Sequence, residues 1–319
     1  MKAITVPAFH AIPELTDLPE PGVKPGTVKI RLAAAGLNPF DWKMVDGILK
    51  DHMQHVFPLI LGVDGAGIVT ETGEGVTRFR KGDRVFGQML HTPVGEGSYA
   101  EFVVVPEDAA ITPAPETIPL ADAAALPTAG MTAQQLLHRS GLQEGQTLLL
   151  TGATGGVGSF LIQMAAAKGI HVIATASSAE KATQVLGLGA SAVVDHTSAP
   201  PEEQVKKMYP GGVDGLIDLV SDRAGFSRLL PLVKEQGIAL TTMFVADKKE
   251  LEARHLQGGN FETKGTPASL DALAKMIDAG TLKVPVDRKI SMGQAAAAIA
   301  ASREKKSKGK TIIVIDDSL

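Results

Sequence analysis

An α/β protein with a loop-rich β domain and a doubly wound parallel sheet is the fold class the sequence predicts. Three observations carry that expectation. The chain has 319 residues, against roughly 100–200 for a usual domain, which predicts two domains. Thirteen of its 19 prolines fall in residues 1–127, and proline is poorly tolerated inside helices and central strands. From about residue 128 strands alternate with helices through glycine turns, the pattern of a parallel sheet covered on both faces.

Taken in order, the first region shows short β-branched runs at Thr27–Leu32, Gly67–Thr70, Asp83–Phe86 and Tyr99–Val105, each bounded by turn residues. In the second region Thr147–Thr151 reads as a strand, followed by Val157, Leu161, Met164 and Ala165 at helical spacing and closed by Gly169. His171–Thr175 is the next strand, Glu180–Leu186 a helix and Ala192–Asp195 a strand. Gly215–Val220 (strand), Ala224–Lys234 (helix) and Ile238–Thr242 (strand) continue the alternation. An amphipathic helix over 268–280, a helix over Gln294–Ser302 and a strand over Thr311–Ile315 complete the chain. The basic run Arg303, Lys305, Lys306, Lys308 and Lys310 reads as a solvated helix end and turn, where cations complement the helix dipole.

Composition narrows the chemistry. With no cysteine, disulfides, iron–sulfur clusters, Cys-based zinc sites and a thiol nucleophile are excluded. A formal charge of -4 gives no global attraction to nucleic acid or an anionic membrane. No apolar run approaches the roughly 18 residues of a membrane span, and Met1–Val6 reads as a strand rather than a signal segment. A soluble, cytoplasmic protein is the expectation. Of the eight histidines only His52 and His55 lie close together, beside Asp51, and they read as an exposed loop rather than a metal site.

The strongest local signal is Thr147–Lys168, in which glycines at 152, 155, 156 and 158 separate an apolar strand from an amphipathic helix. The slots of Gly-x-Gly-x-x-Gly are filled by Ala153, Gly155 and Gly158, with Thr154, Gly156 and Val157 between them. Small residues there let the chain turn sharply, let the backbone approach a pyrophosphate and let the helix pack tightly on the strand. The N–H groups at the helix start then face the diphosphate. About 20 residues downstream an NAD-preferring fold carries Asp or Glu for the ribose 2′-hydroxyl. Here Ser177 and Ser178 end the second strand and Lys181 follows one turn on. Hydroxyls and a cation suit a 2′-phosphate, which a carboxylate would repel, so NADPH is expected over NADH. The alternative is that Ser178 only caps a helix and Lys181 is solvated.

Several further motifs occur in order: Gly36-Leu-Asn-Pro-Phe-Asp-Trp-Lys43, Leu61-Gly-Val-Asp-Gly-Ala-Gly-Ile-Val69, Lys81-Gly-Asp-Arg-Val-Phe-Gly87, Gly97-Ser-Tyr-Ala-Glu-Phe102 and Leu126-Pro-Thr-Ala-Gly-Met-Thr-Ala133. Through them the chain resembles the zinc-free quinone oxidoreductase-like branch of the medium-chain dehydrogenase/reductase superfamily. The resemblance implies a GroES-like β domain over 1–122, completed by 265–319, and a Rossmann domain over 123–264, with the active-site cleft at their junction. It also implies cofactor contacts from Thr128, Thr132, Val220 and Phe244. His196 stands where relatives often carry a Tyr at the 2′-phosphate. A homodimer through Rossmann sheet edges around Ile238–Val245 is implied as well. Metal-dependent relatives have a Cys in the place of Asn38 and a His in the place of Val63, so no metal is expected.

Without a Lewis acid to stabilise an alkoxide, the expected acceptor is a quinone or an α,β-unsaturated carbonyl, whose conjugation spreads incoming charge. Asn38 either donates its amide to substrate or nicotinamide ribose, or serves only as a turn former before Pro39. Asp41 and Lys43 either bracket the cleft or form surface pairs and loop structure. Tyr99 reads as core rather than acid, which leaves water as the proton donor. Loops over Gly47–Phe57 and Gln88–Gly97 are expected to shape the substrate pocket. An enoyl-thioester reductase and a non-catalytic NADPH-binding redox sensor are the rival readings.

Overall fold

The computed structural model describes residues 1–304 and 309–319, and the chain divides into two units. Met1–Met131 with Gly265–Leu319 form the first, and Thr132–Lys264 the second.

The second unit holds six strands: β1 (Thr147–Thr151), β2 (His171–Ala176), β3 (Ala192–Asp195), β4 (Val213–Asp218), β5 (Val233–Thr241) and β6 (Gln257–Asn260). All pair in parallel, in the order β3-β2-β1-β4-β5-β6. This is the doubly wound order, in which the chain reverses direction across the sheet beside the first strand. Every residue of β1 is buried, as a central strand covered on both faces requires. Leu149, Ile173, Val194, Leu216 and Phe226 share one core cluster.

The first unit is built from two sheets. In the larger, strands run in the order Val286–Ser291, Lys310–Val314, Thr27–Gly36, Asp64–Thr72, Arg84–Gln88, Ile111–Pro113, and Phe102–Pro106 also pairs with Thr27–Gly36. The smaller has the order Glu14–Asp17, Lys2–Val6, His55–Ile60, Val94–Glu96. The C-terminal strand joins the N-terminal region antiparallel, with Ile312 opposite Gly36 and Val314 opposite Ala34. Ile4, Leu59, Leu61, Tyr99, Ile299 and Ile313 pack in one core cluster.

Several expectations need correction. The predicted helix Ala224–Lys234 ends at Leu229, gives way to a 3-10 turn over Leu230–Leu232, and β5 begins at Val233; Pro231 lacks the N–H that would continue the helix. The strand expected from Tyr99 begins at Phe102, because Tyr99 spends its backbone elsewhere: its N–H donates to Leu61 O and its C=O accepts from Ile4 N, both at 2.8 Å. β4 covers Val213–Asp218, so Leu219 and Val220 lie past its end. Ile238–Val245 is no sheet edge, since β5 pairs with β6 from Ile238↔Gln257 onward and the edge strand is β6. Gln-Gly-Gly-Asn carries no β-branched or aromatic residue, which hid that strand. His55 is not in an exposed loop: it opens the strand His55–Ile60 and its half-buried ring stands edge-on to Phe9 at 5.1 Å. Of the basic run, Arg303 ends a helix and pairs with Asp46 at 2.6 Å, Lys310 is buried in a strand, and Lys305, Lys306 and Lys308 lie outside the described residues.

Candidate active site

Two groups of chemistry-bearing residues emerge, one in each unit. In the second, the turn from β1 into the helix Gly156–Ala167 adopts the geometry its glycines permit. Gly152 has φ +68°, a left-handed conformation that side chains oppose. A Cβ on Gly158 would lie 2.5 Å from Ala153 O, so helix and turn approach too closely for any larger residue. Gly155 is the N-cap, where a Cβ would meet nothing nearer than Gly152 O at 3.3 Å. Ala153 is buried, while Thr154, Gly155, Gly156 and Val157 are half-buried at the start of the helix. Such a helix start offers unpaired N–H groups and the positive end of the dipole to an anion.

At the end of β2, Ser177 and Ser178 are exposed. Ser178 caps the helix Ala179–Gly187, its Oγ accepting from Lys181 N at 3.2 Å. The Lys181 ammonium donates to Gln184 Oε1 at 2.9 Å. Glu180 sits exposed in the first turn of the same helix, and His196 is exposed beyond β3. Beyond β4 and β5, Val220 and Phe244 are exposed apolar residues, at 47% and 60%. Phe244 holds φ +57°, an uncommon conformation for a bulky side chain that often marks a functional position. Thr132 shares a hydroxyl–hydroxyl bond of 2.6 Å with Thr263.

Sequence reasoning passed over Asp218. Its carboxylate is fully buried at the end of β4 and accepts from Thr151 Oγ1 at 2.5 Å, Thr241 Oγ1 at 3.0 Å and Ser221 Oγ at 2.6 Å. It thereby ties the ends of β1, β4 and β5 together.

In the first unit Asn38, Asp41 and Lys43 fall at the N-terminus of a helix, Pro39–Val45, with Asn38 as N-cap and Pro39 in its first turn. The Asp41 carboxylate accepts from the Asn38 backbone N–H at 2.7 Å. Asp41 is therefore neither a surface pair nor a loop residue. It is fully buried, and Tyr99 OH donates to its Oδ2 at 2.6 Å while Oδ1 has no partner among the described residues. Burial, partly opposed by the bonds from Tyr99 and Asn38, raises the Asp41 pKa to about 7. Burial of the phenol beside Asp41 in turn pushes Tyr99 well above its usual range. Lys43 is half-buried, with its Nζ 5.7 Å from the centre of the Trp42 ring. Burial lowers its pKa.

The Asn38 carboxamide is engaged on both sides. Its Nδ2 donates to Gly36 O at 3.2 Å and to Asp64 Oδ2 at 2.9 Å, and its Oδ1 accepts from Lys310 Nζ at 2.8 Å. Asp64, fully buried, also accepts from Thr128 Oγ1 at 2.6 Å and Thr128 N at 3.0 Å. Gln88 Nε2 donates to the same Thr128 hydroxyl at 2.7 Å. Asp64 and Lys310 thus join Asn38 to Thr128, and neither was singled out from sequence. Asp64 was visible inside Leu61–Val69, but Lys310 looked like the other cations beside it.

Residues 24–116 match the alcohol dehydrogenase GroES-like domain family, and residues 156–279 match the zinc-binding dehydrogenase family. A chloroplast envelope quinone oxidoreductase homolog of Arabidopsis thaliana is 31% identical over 312 residues, 94% of this chain and 93% of that protein. A 2-methylene-furan-3-one reductase of Solanum lycopersicum is 34% identical over 223 residues, 68% of this chain and 55% of that protein. The solved quinone oxidoreductase from Coxiella burnetii superposes with a TM-score of 0.86 at 28% identity, covering 98% of this chain and 99% of that one.

The side chains do not fit the zinc that the second family's name carries. Val63 has no donor atom, the Asn38 carboxamide is spent on protein partners, and the chain has no cysteine. Among the described residues no three His, Asp or Glu side chains group as metal ligands. No described helix is long and apolar enough to cross a membrane.

Proposed function

As the chain belongs to the quinone oxidoreductase branch of the medium-chain dehydrogenase/reductase superfamily, an NAD(P)H-dependent oxidoreductase family, we propose that it is a metal-independent, NADPH-dependent reductase of quinones or α,β-unsaturated carbonyls. The observation that carries this reading is the β1 turn, whose open Gly155 N-cap begins a helix beside the close Gly158–Ala153 approach.

The turn Ala153–Gly158 would hold the diphosphate through backbone N–H groups. Ser177, Ser178, Lys181 and His196 would receive the 2′-phosphate; no carboxylate ends β2 to repel it. In the second unit Val220 and Phe244, exposed beyond β4 and β5, would flank the nicotinamide, with Thr132 as a polar contact. In the first unit Thr128 is the polar candidate, since both amide hydrogens and the carbonyl of Asn38 are already bonded to protein. Bound there, the dinucleotide supplies a hydride. The residues around it orient, and a buried polar network such as Asn38–Asp64–Thr128 resists reorientation because every bond in it would be lost together. Acceptors already conjugated need no cation to take up charge, which favours quinones and enones. Of Asn38, Asp41 and Lys43, the first two hold the helix start in place, and half-buried Lys43 would be the one to meet substrate.

The test is NADPH and NADH oxidation by purified protein against a panel of quinones, enones and enoyl thioesters, with metal content measured alongside. Turnover with quinones or enones at less than stoichiometric zinc is expected. Turnover confined to thioesters would shift the substrate class. Tight NADPH binding with no turnover on any acceptor would make the protein a dinucleotide sensor, and activity lost on removing zinc would overturn the metal-independent reading.

A further inference from the structure

We propose that Lys310 is a positioning residue for the reaction, acting through Asn38 and Asp64 on the polar groups of the first unit. The proposal rests on the reading of Thr128 as a cofactor contact, to which Asn38 is joined through Asp64.

Lys310 opens the last strand. Because Ile312 lies opposite Gly36, the strand's first residues extend past the end of Thr27–Gly36 to the Asn38 turn, where Leu37 N donates to Thr311 O at 3.0 Å. Its side chain runs inward and is 3% exposed. Lysine is almost never found so deep unless paired. Here the ammonium donates to Leu37 O at 3.2 Å and Asn38 Oδ1 at 2.8 Å, and stands 3.7 Å from Asp64 Oδ2. These three oxygens replace the water it has lost. A lysine needed only for the strand would have kept its head in solvent.

The consequence runs through Asp64. Burial raises the pKa of that carboxyl, and Lys310 is the largest influence lowering it. Among the described residues Asp41 and Tyr99 also feel the Asp64 charge. While Asp64 is ionised, it accepts from the Thr128 hydroxyl, the Thr128 N–H and the Asn38 amide at once. A protonated Asp64 has one acceptor oxygen turned into a donor. The Thr128 hydroxyl and the Asn38 amide then lose a shared anchor. Lys310 favours the charged form of the anchor, while burial lowers the pKa of Lys310 itself and the Asp64 charge opposes that lowering.

The test uses full-length protein with Lys310→Gln, which retains a donor for Asn38, and Lys310→Met, which does not. NADPH affinity is titrated by fluorescence, turnover is followed with 9,10-phenanthrenequinone across pH, and the Asp64 carboxyl is titrated by carbon NMR. Both variants are expected to lower kcat about tenfold or more, the size that small misplacements of reacting groups produce. The NADPH Kd should rise by a smaller factor than kcat falls, since the backbone N–H groups of the glycine turn keep the diphosphate. The acid limb of kcat and the Asp64 titration should both move to higher pH, while Lys310→Arg retains the wild-type limb. A folded Gln variant with wild-type kcat and an unmoved Asp64 titration would overturn the proposal. If Lys310→Met does not fold, the Gln variant decides. If wild-type protein turns over no quinone or enone, the functional reading fails, and the NMR titration still decides whether Lys310 holds Asp64 ionised.

Discussion

Two glycines in the β1 turn serve different ends although they stand three residues apart. At Gly158 even a methyl would lie 2.5 Å from a backbone oxygen and 2.6 Å from Ala153 Cα. Gly158→Ala is therefore expected to cost about 1–3 kcal/mol of stability and to weaken NADPH binding, read by urea unfolding and fluorescence titration. Gly155→Ala meets only one atom within reach, at 3.3 Å, so its stability should stay within about 1 kcal/mol of wild type. Its NADPH Kd should still rise about tenfold, because the added methyl occupies space the diphosphate needs. Equal affinity in both proteins would remove the turn from the binding site. Asp41 yields a prediction in pH. Its folded pKa, about 7, exceeds the unfolded value near 3.8, so the native state holds that proton more tightly. The stability it contributes is whole below about pH 4 and is lost as pH rises through about 7. Relative to Asp41→Asn, wild-type protein should lose on the order of 3–4 kcal/mol of unfolding free energy across that window. A pH-independent difference between the two would show that Asp41 ionises normally.

Elements decide which atoms of these residues are available. The strand β2 followed by the Ser178-capped helix places Lys181 one turn from the strand end, and its ammonium rests on Gln184. A lysine held by a neutral amide can exchange that partner for a phosphate at small cost, since a charge-assisted bond is stronger than a bond to a neutral acceptor. Lys181→Ala is expected to reduce the preference for NADPH over NADH by about fivefold to tenfold, as a surface-exposed charge contact of about 1 kcal/mol would. An unchanged ratio of the two Kd values would return Lys181 to the role of solvated helix residue. The helix Pro39–Val45 shows the same dependence on context. Asn38-Pro-Phe-Asp reads as a turn by composition, yet Pro39 suits the first helical position and Asp41 accepts from the N-cap N–H, the two features that start a helix.

At the scale of the whole molecule, the parallel sheet ends in β6, a four-residue edge strand with no partner on one side among the described residues. Exposed edges are where sheets join between chains, so the dimer expected from sequence would form at β6 rather than at Ile238–Val245. Light scattering at micromolar concentration should give a dimer mass. Gly259→Pro, at a residue whose φ of +126° proline cannot adopt, should shift that mass towards the monomer while leaving NADPH binding in place. A monomer in the wild-type protein would dismiss the interface.

Local pattern was enough for the alternation of strands and helices through β1 to β5, for the glycine turn and for the missing carboxylate after β2, but not for β6 or the helix Pro39–Val45. Each of these depends on neighbours within a few residues: apolar spacing, a small residue at a sharp bend, the residue types ending a strand. Proline density likewise marked the first region as β-rich. The chain fold alone settled which polar residues lie together. Lys310 looks like Lys308 or Lys306 on paper, and nothing nearby predicts that it would be 3% exposed beside residues 37, 38 and 64. Asp41 and Tyr99, 58 positions apart, share a 2.6 Å hydrogen bond because a helix start and a loop between two sheets converge on one core. Burial is a property of what surrounds a residue in space, and the charge states that follow from it are set by partners hundreds of positions away along the chain.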